Sequence, residues 1–139
     1  MARGSKTVEV RRRDAHLYLA KALEFAAEAD AALKEERYDA AMLNAIHAGI
    51  SAADSVAIAL AGRRSTDPDH ERAADLLDEV AGPSSEIRTK VRQLRSLLGE
   101  KNAVEYESRR TSRKEATDAV SRARRLVDWS KATVDRANV

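Results

Sequence analysis

Asn44, His47, Ser51 and Asp54 follow one another at spacings of three, four and three. At about 100° per residue these positions fall within roughly a quarter of a helix circumference, so they form one polar stripe. An imidazole, a carboxylate, an amide and a hydroxyl on one stripe could bind a polar ligand or move a proton. The rest of the run, with Met42, Leu43, Ile46, Ile50, Val56, Ile58, Leu60 and many alanines, is apolar on every other side. That pattern predicts a helix enclosed by protein, where polar groups cost free energy unless they find partners.

A second pairing is Arg64-Ser-Thr-Asp-Pro-Asp-His70, with five residues between the arginine and the histidine. Cleavage of RNA needs a base for the 2′-hydroxyl proton and a cation for the charge developing on phosphate, and Arg64 with His70 could supply both. His70 falls near an expected helix N-terminus, where the helix dipole keeps an imidazole neutral. A polar loop leading into a capped helix explains the same residues without chemistry. Helix starts also attract anions, and Arg63 and Arg64 favour that here while Asp67 and Asp69 oppose it.

Metal chemistry is poorly provided for. Carboxylate-bridged di-metal bundles use Glu-x-x-His pairs, and the chain contains none. His47 and Asp54 stand about two turns apart and cannot chelate one ion unaided. A histidine hydrogen-bonded inside a bundle is the simpler reading of His47. No metal and no cofactor is expected. There is no glycine-rich loop after a strand, hence no dinucleotide or Walker signal. With no cysteine, disulfides and thiolate nucleophiles are excluded.

The elements that must carry these residues are helices. The 139 residues contain two prolines and five glycines, are 43% hydrophobic and 35% charged, and have few aromatics, which fits one domain of amphipathic helices. Residues 1–10 lack periodicity and read as a disordered basic tail, with residues 11–137 as the single domain. From Asp14 to Glu36, Ala15, Leu19, Ala22, Leu23, Ala26, Ala29 and Leu33 form an inner face, with Lys21, Glu24, Glu28 and Glu35 opposite. Tyr38 to Ala61 is the second helix, closed by Gly62. Asp67 as cap and Pro68 at the first helical position start a short third helix reaching about Val80.

Ser85 to about Glu107 is the fourth helix, with Ile87, Val91, Leu94 and Leu98 inward; Lys101 and Glu105 continue that face, and Gly99 weakens the helix beside them. Ser112-Arg-Lys-Glu115 is a capping box opening a fifth helix, whose inner face is Ala116, Ala119, Val120, Ala123, Leu126, Val127, Ser130 and Val134. Nothing reads as a strand. The fold class is all-α: an antiparallel up-and-down helical bundle of four long helices plus one short helix. Since Lys101, Glu105 and Asn102 need partners as the stripe does, a Lys101 to Asp54 contact would satisfy both, and Asp54→Ala would then cost about 3–5 kcal/mol.

Charge is segregated along the chain. Residues 1–13 hold five basic groups against one acidic, 14–83 six against fourteen, and 84–139 fourteen against eight, for net charges of +4, −8 and +6. Attraction to a polyanion such as RNA produces such asymmetry, as does pairing of two copies, and solvated helix faces do too. The start, Met-Ala-Arg-Gly-Ser-Lys, has no apolar signal segment, and no apolar run free of polar side chains reaches about 18 residues. The expectation is a soluble cytoplasmic protein with no membrane contact.

Order and spacing resemble a known family, the HEPN domain. The resemblance lies in Tyr38-Asp-Ala-Ala-Met-Leu-Asn-Ala-Ile-His47-Ala after a first long helix, in Gly62-Arg63-Arg64, in Asp69-His70 opening Ala73-Ala74-Asp-Leu76-Leu77, in Leu97-Leu98 followed by Lys101-Asn102-Ala-Val-Glu105-Tyr106, and in the box-started last helix. It spans about residues 11–135. The resemblance implies a helical bundle that often dimerises and is commonly linked to RNA. Many members are ribonucleases or toxins paired with a minimal nucleotidyltransferase, and others are inactive. Active members carry an Arg-x4–6-His motif late in the bundle. Here Lys101 stands for the arginine and Tyr106 where histidine is expected, similar to non-nuclease variants with an Arg-x-x-Ala-Asp-Tyr-like segment.

Three functions are open to the sequence. One is a dimeric regulatory protein that binds RNA, a nucleotide or a protein partner. The second is a metal-independent endoribonuclease toxin, using Arg64 with His70 or the Lys101 and Tyr106 region. The third is a structural adaptor without a ligand.

Overall fold

A computed structural model of the chain describes residues 6–139. Five helices form the bundle: α1 (Ala15–Lys34), α2 (Tyr38–Ala61), α3 (Glu71–Ala81), α4 (Ser85–Tyr106) and α5 (Arg113–Ala137). This is the expected all-α architecture of four long helices and one short one. The second helix is its axis, packed against all four others. Nine consecutive residues of α2, from Ser51 to Ala59, are buried, as an apolar sequence on every side requires. The helix is long and apolar enough to span a membrane, and 67% of its most apolar stretch is buried inside the bundle.

Met42, Ile46, Leu77, Leu94, Leu97 and Leu126 are fully buried in one central cluster, each contributing about 1.5–3 kcal/mol by leaving water. A Cβ at Gly49 would come within 2.8 Å of Leu97 Cδ1, so the bare glycine is what lets α4 close on α2. Across the bundle Ser130 Oγ of α5 donates to Ala52 O at 3.1 Å, and Ser55 Oγ of α2 itself donates to the same carbonyl at 2.7 Å. Gly62 ends α2 at φ 67°, the left-handed cap read from the sequence. The capping box is present: Glu115 N–H donates to Ser112 Oγ at 3.1 Å, and Ser112 N–H to Glu115 Oε1 at 2.9 Å. The inner face assigned to α5 is buried throughout.

Several expectations are corrected. Two strands exist: β1 (Thr7–Glu9) pairs antiparallel with β2 (Arg63–Ser65), Val8 opposite Arg64. Hydrogen bonds from Val10 N–H to Gly62 O at 2.8 Å and from Thr66 N–H to Lys6 O at 2.9 Å flank the ladder. Three residues are too few to show alternation, and pairing with the chain leaving α2 is a non-local event that no periodicity reports. The remainder of the expected tail, residues 1–5, lies outside the described residues.

Helix α3 starts at Glu71 and not at Pro68. Asp67 Oδ1 accepts from Asp69 N–H at 2.9 Å, and Asp69 Oδ1 from Glu71 N–H at 3.1 Å. These two side-chain turns occupy the N–H groups that an earlier helix start would present. On α1, Leu23 is 44% exposed at the edge of a groove facing α5, while Ala32 takes the inner place.

Candidate functional site

The polar stripe of α2 divides between two environments. Asn44 is tied off, its Nδ2 donating to Ala40 O at 2.9 Å one turn back. His47 packs on Phe25 of α1, with ring centroids 5.3 Å apart and planes tilted by 32°. Burial first, and then the nearby Lys101 ammonium, hold the His47 imidazole below its usual pKa, with Glu105 pulling the other way and His70 adding to the depression. His47 therefore feels the charges at the end of α4 and the start of α3. Ser51 and Asp54, each 9% exposed, lie further along.

The expected Lys101 to Asp54 contact is absent. Lys101 Nζ bonds Glu105 Oε2 at 2.8 Å one turn along its own helix, and that bond and charge hold the Glu105 carboxyl below its usual range. A pairing within α4 is available at every i, i+4 spacing, whereas reaching Asp54 requires a span across the bundle. The destabilisation expected of Asp54→Ala rested on that pair and falls with it.

Two cavities of about 270 Å³ each flank His70. The first lies between the start of α3 and the end of α4, and holds Asp69, His70, Glu71, Lys101, Asn102 and Tyr106. Glu71 is already engaged by Arg95 at 2.8 Å, and Arg95 also grips Asp75 at 2.7 Å. Tyr106 is 77% exposed and stands at the rim. The second cavity is walled by Ile50, Asp54, Arg64, Ser65, Thr66 and His70, with Asp67, Pro68 and Ala73 completing it. His70 is the N-cap residue of α3, and its side chain makes no capping bond.

Asp54 is the most perturbed acid of this region. Burial pushes its carboxyl up to about 7, against the pull of the Arg64 guanidinium and then of Lys21. Arg64 sits 5.5 Å from the Tyr18 ring centroid, and its Nε–H is buried without a partner among the described residues. The structure thus brings Arg64, His70 and Asp54 around one cavity, brings Lys101, Asn102, Tyr106 and His70 around the other, and leaves Asn44, His47 and Glu105 outside the lining of both. A groove of about 500 Å³ between α1 and α5 contains none of these residues; its Arg124 is paired with Asp30.

Sequence reasoning missed two members. The sequence carries no signal for Tyr18 and puts Lys21 on the outer face of the first helix, yet Lys21 Nζ lies 4.8 Å from the Tyr18 ring centroid, Arg64 stands over the same ring, and the charges of Lys21 and Arg64 act on Asp54. A spacing of three puts Tyr18 and Lys21 on one face, but nothing local connects that face to Arg64. The β1–β2 ladder makes the connection by pinning Arg64 opposite Val8.

No curated protein and no solved structure matches the chain. A family model for the HEPN domain matches residues 15–133, which includes every helix from its first residue except the last turn of α5. That family's functions are nuclease-like or RNA-related and regulatory. The chain therefore belongs to the HEPN domain family.

Proposed function

We propose that this HEPN chain is a regulatory protein that binds single-stranded RNA or a nucleotide in the cleft between the start of α3 and the end of α4, acting as a dimer and without cutting its ligand. One observation carries the reading. The late segment of α4, where the family's active members have their Arg and His, holds Lys101 and Tyr106, and Lys101 is closed on Glu105 at 2.8 Å. With no imidazole on that segment, the step that removes the 2′-hydroxyl proton lacks its base there. The cleft still offers the Asn102 amide and the His70 ring, and the +6 charge of residues 84–139 favours a polyanion. Binding should fall steeply with salt, because each phosphate held by a basic side chain releases counterions. Salt-independent binding, or none, refutes the reading. Light scattering reads the dimer.

A second reading has its own support. His70 reaches the same cleft from α3, next to Lys101 and Asn102, and Arg64 lines the adjoining cavity. An endoribonuclease that needs no metal could use His70 as base from this position, and as a toxin it would take a nucleotidyltransferase-type protein as partner. RNA incubated with the chain in EDTA decides between the two. Intact RNA supports binding alone; cleavage that disappears in His70→Ala supports the nuclease.

A further inference from the structure

The two cavities share His70 and Pro68 as common walls, so a strand lying in the cleft between α3 and α4 meets the second cavity at once. Binding in that cleft leaves the second cavity unused. Its floor is Asp54, 9% exposed, which no hydrogen bond from the described residues reaches. Arg64 flanks it with a buried, unpartnered Nε–H. Ile50 and Ala73 give apolar walls, and the exposed Thr66 and Pro68 form the rim. At about 270 Å³ the space is just below the roughly 300 Å³ at which small-molecule sites begin, room for one flat ring system and not for a whole nucleotide.

The two charged groups specify what that ring must display. A carboxylate only accepts and a guanidinium only donates. A matching ligand carries adjacent N–H donors on one edge and acceptors on another. Guanine has this pattern: N1–H and the 2-amino group face a carboxylate, while O6 and N7 accept from arginine. Adenine sets an acceptor beside its amino group, and uracil has one N–H between two carbonyls, so each would leave Asp54 or Arg64 unmatched. Bases of single-stranded RNA can be splayed out and read on these edges. We propose that Asp54 and Arg64 form a pocket for one extruded guanine of a single strand whose backbone lies in the neighbouring cleft, which rests on the RNA-binding reading above.

The test titrates the full chain with guanosine and adenosine 5′-monophosphate, and with oligouridylate lacking or containing one guanine. The expected result is a preference of about tenfold for guanine in both comparisons, the scale of one good bidentate contact. Asp54→Asn should abolish that preference, as should Arg64→Lys, which keeps the charge, loses the planar fork and gives an independent answer if the first variant does not fold. Equal affinities for the two mononucleotides, or for the two RNAs, overturn the pocket. Oligouridylate that binds with no guanine preference overturns the pocket and leaves the RNA reading standing. A guanine preference among mononucleotides with no binding of either oligonucleotide removes the RNA reading and overturns the extruded-strand proposal with it.

Discussion

Replacing Asp54 by asparagine isolates the free energy that the buried carboxylate holds. An aspartate begins at 3.8 in the unfolded chain and is pushed up to about 7 in the bundle, chiefly by burial. Both states are protonated well below 3.8, so the charge of the carboxyl then costs folding nothing. As pH rises from 3.8 towards 7 the unfolded chain gives up its proton and the folded one keeps it, and folding is progressively disfavoured. Above 7 the whole difference applies: about three units at 1.36 kcal/mol each, or about 4 kcal/mol. Asparagine has nearly the same shape and no charge. Its amide carries a fixed cost if left without partners, about 1–3 kcal/mol, but that cost does not vary with pH. Urea titrations of wild type and Asp54→Asn at pH 4 and pH 8 should therefore show the stability difference moving by about 4 kcal/mol in favour of the variant. Parallel pH profiles would refute the reasoning, since they would mean that the carboxylate is hydrated or matched in the folded state.

Two glycines give opposite expectations from the same substitution. At Gly49 a methyl group meets Leu97 Cδ1 at 2.8 Å among Leu94 and Leu126, and overpacking of about 1–3 kcal/mol outweighs about 1 kcal/mol of helix propensity, so Gly49→Ala should lower the urea midpoint. At Gly99 nothing lies within 4 Å, and Gly99→Ala should raise stability by about 1 kcal/mol. Ser112→Ala removes one half of the capping box and should cost about 1 kcal/mol by thermal melting, with Glu115→Ala costing no more than that when Ser112 is already gone.

The elements were legible because their signals are local. Alanine and leucine at three- and four-residue spacing, Gly62 beyond α2, and the Ser112 to Glu115 box each act within a few residues of chain, and each stands where it was read. The pair of strands was illegible for the converse reason: β1 meets β2 more than fifty residues away, over three residues apiece. The stripe on α2 was correctly placed on an enclosed helix, but helical phase cannot name a partner. It offered Lys101 to Asp54, while the chain satisfies Lys101 on its own helix and turns Asp54 towards Arg64 and Lys21.

The way charge is matched elsewhere makes the state of Asp54 informative. Asp39 accepts from Arg110 at 2.6 Å and from Thr111 N–H at 2.8 Å, fixing the connection between α4 and α5 to the start of α2. Arg109 grips Glu115 through two nitrogens, and Arg95 ties Glu71 and Asp75 of α3 to α4. Each of these carboxylates is partly exposed and still has a hydrogen-bonding partner. Asp54 is more buried than any of them and has charge nearby without a hydrogen bond. A bundle core gains nothing from such a group, because an apolar side chain of similar volume would fill the space at lower cost. Desolvated acids beside a cavity are where binding sites concentrate, and a ligand that donates hydrogen bonds to the Asp54 carboxylate would offset part of the burial cost that Asp54→Asn exposes at pH 8.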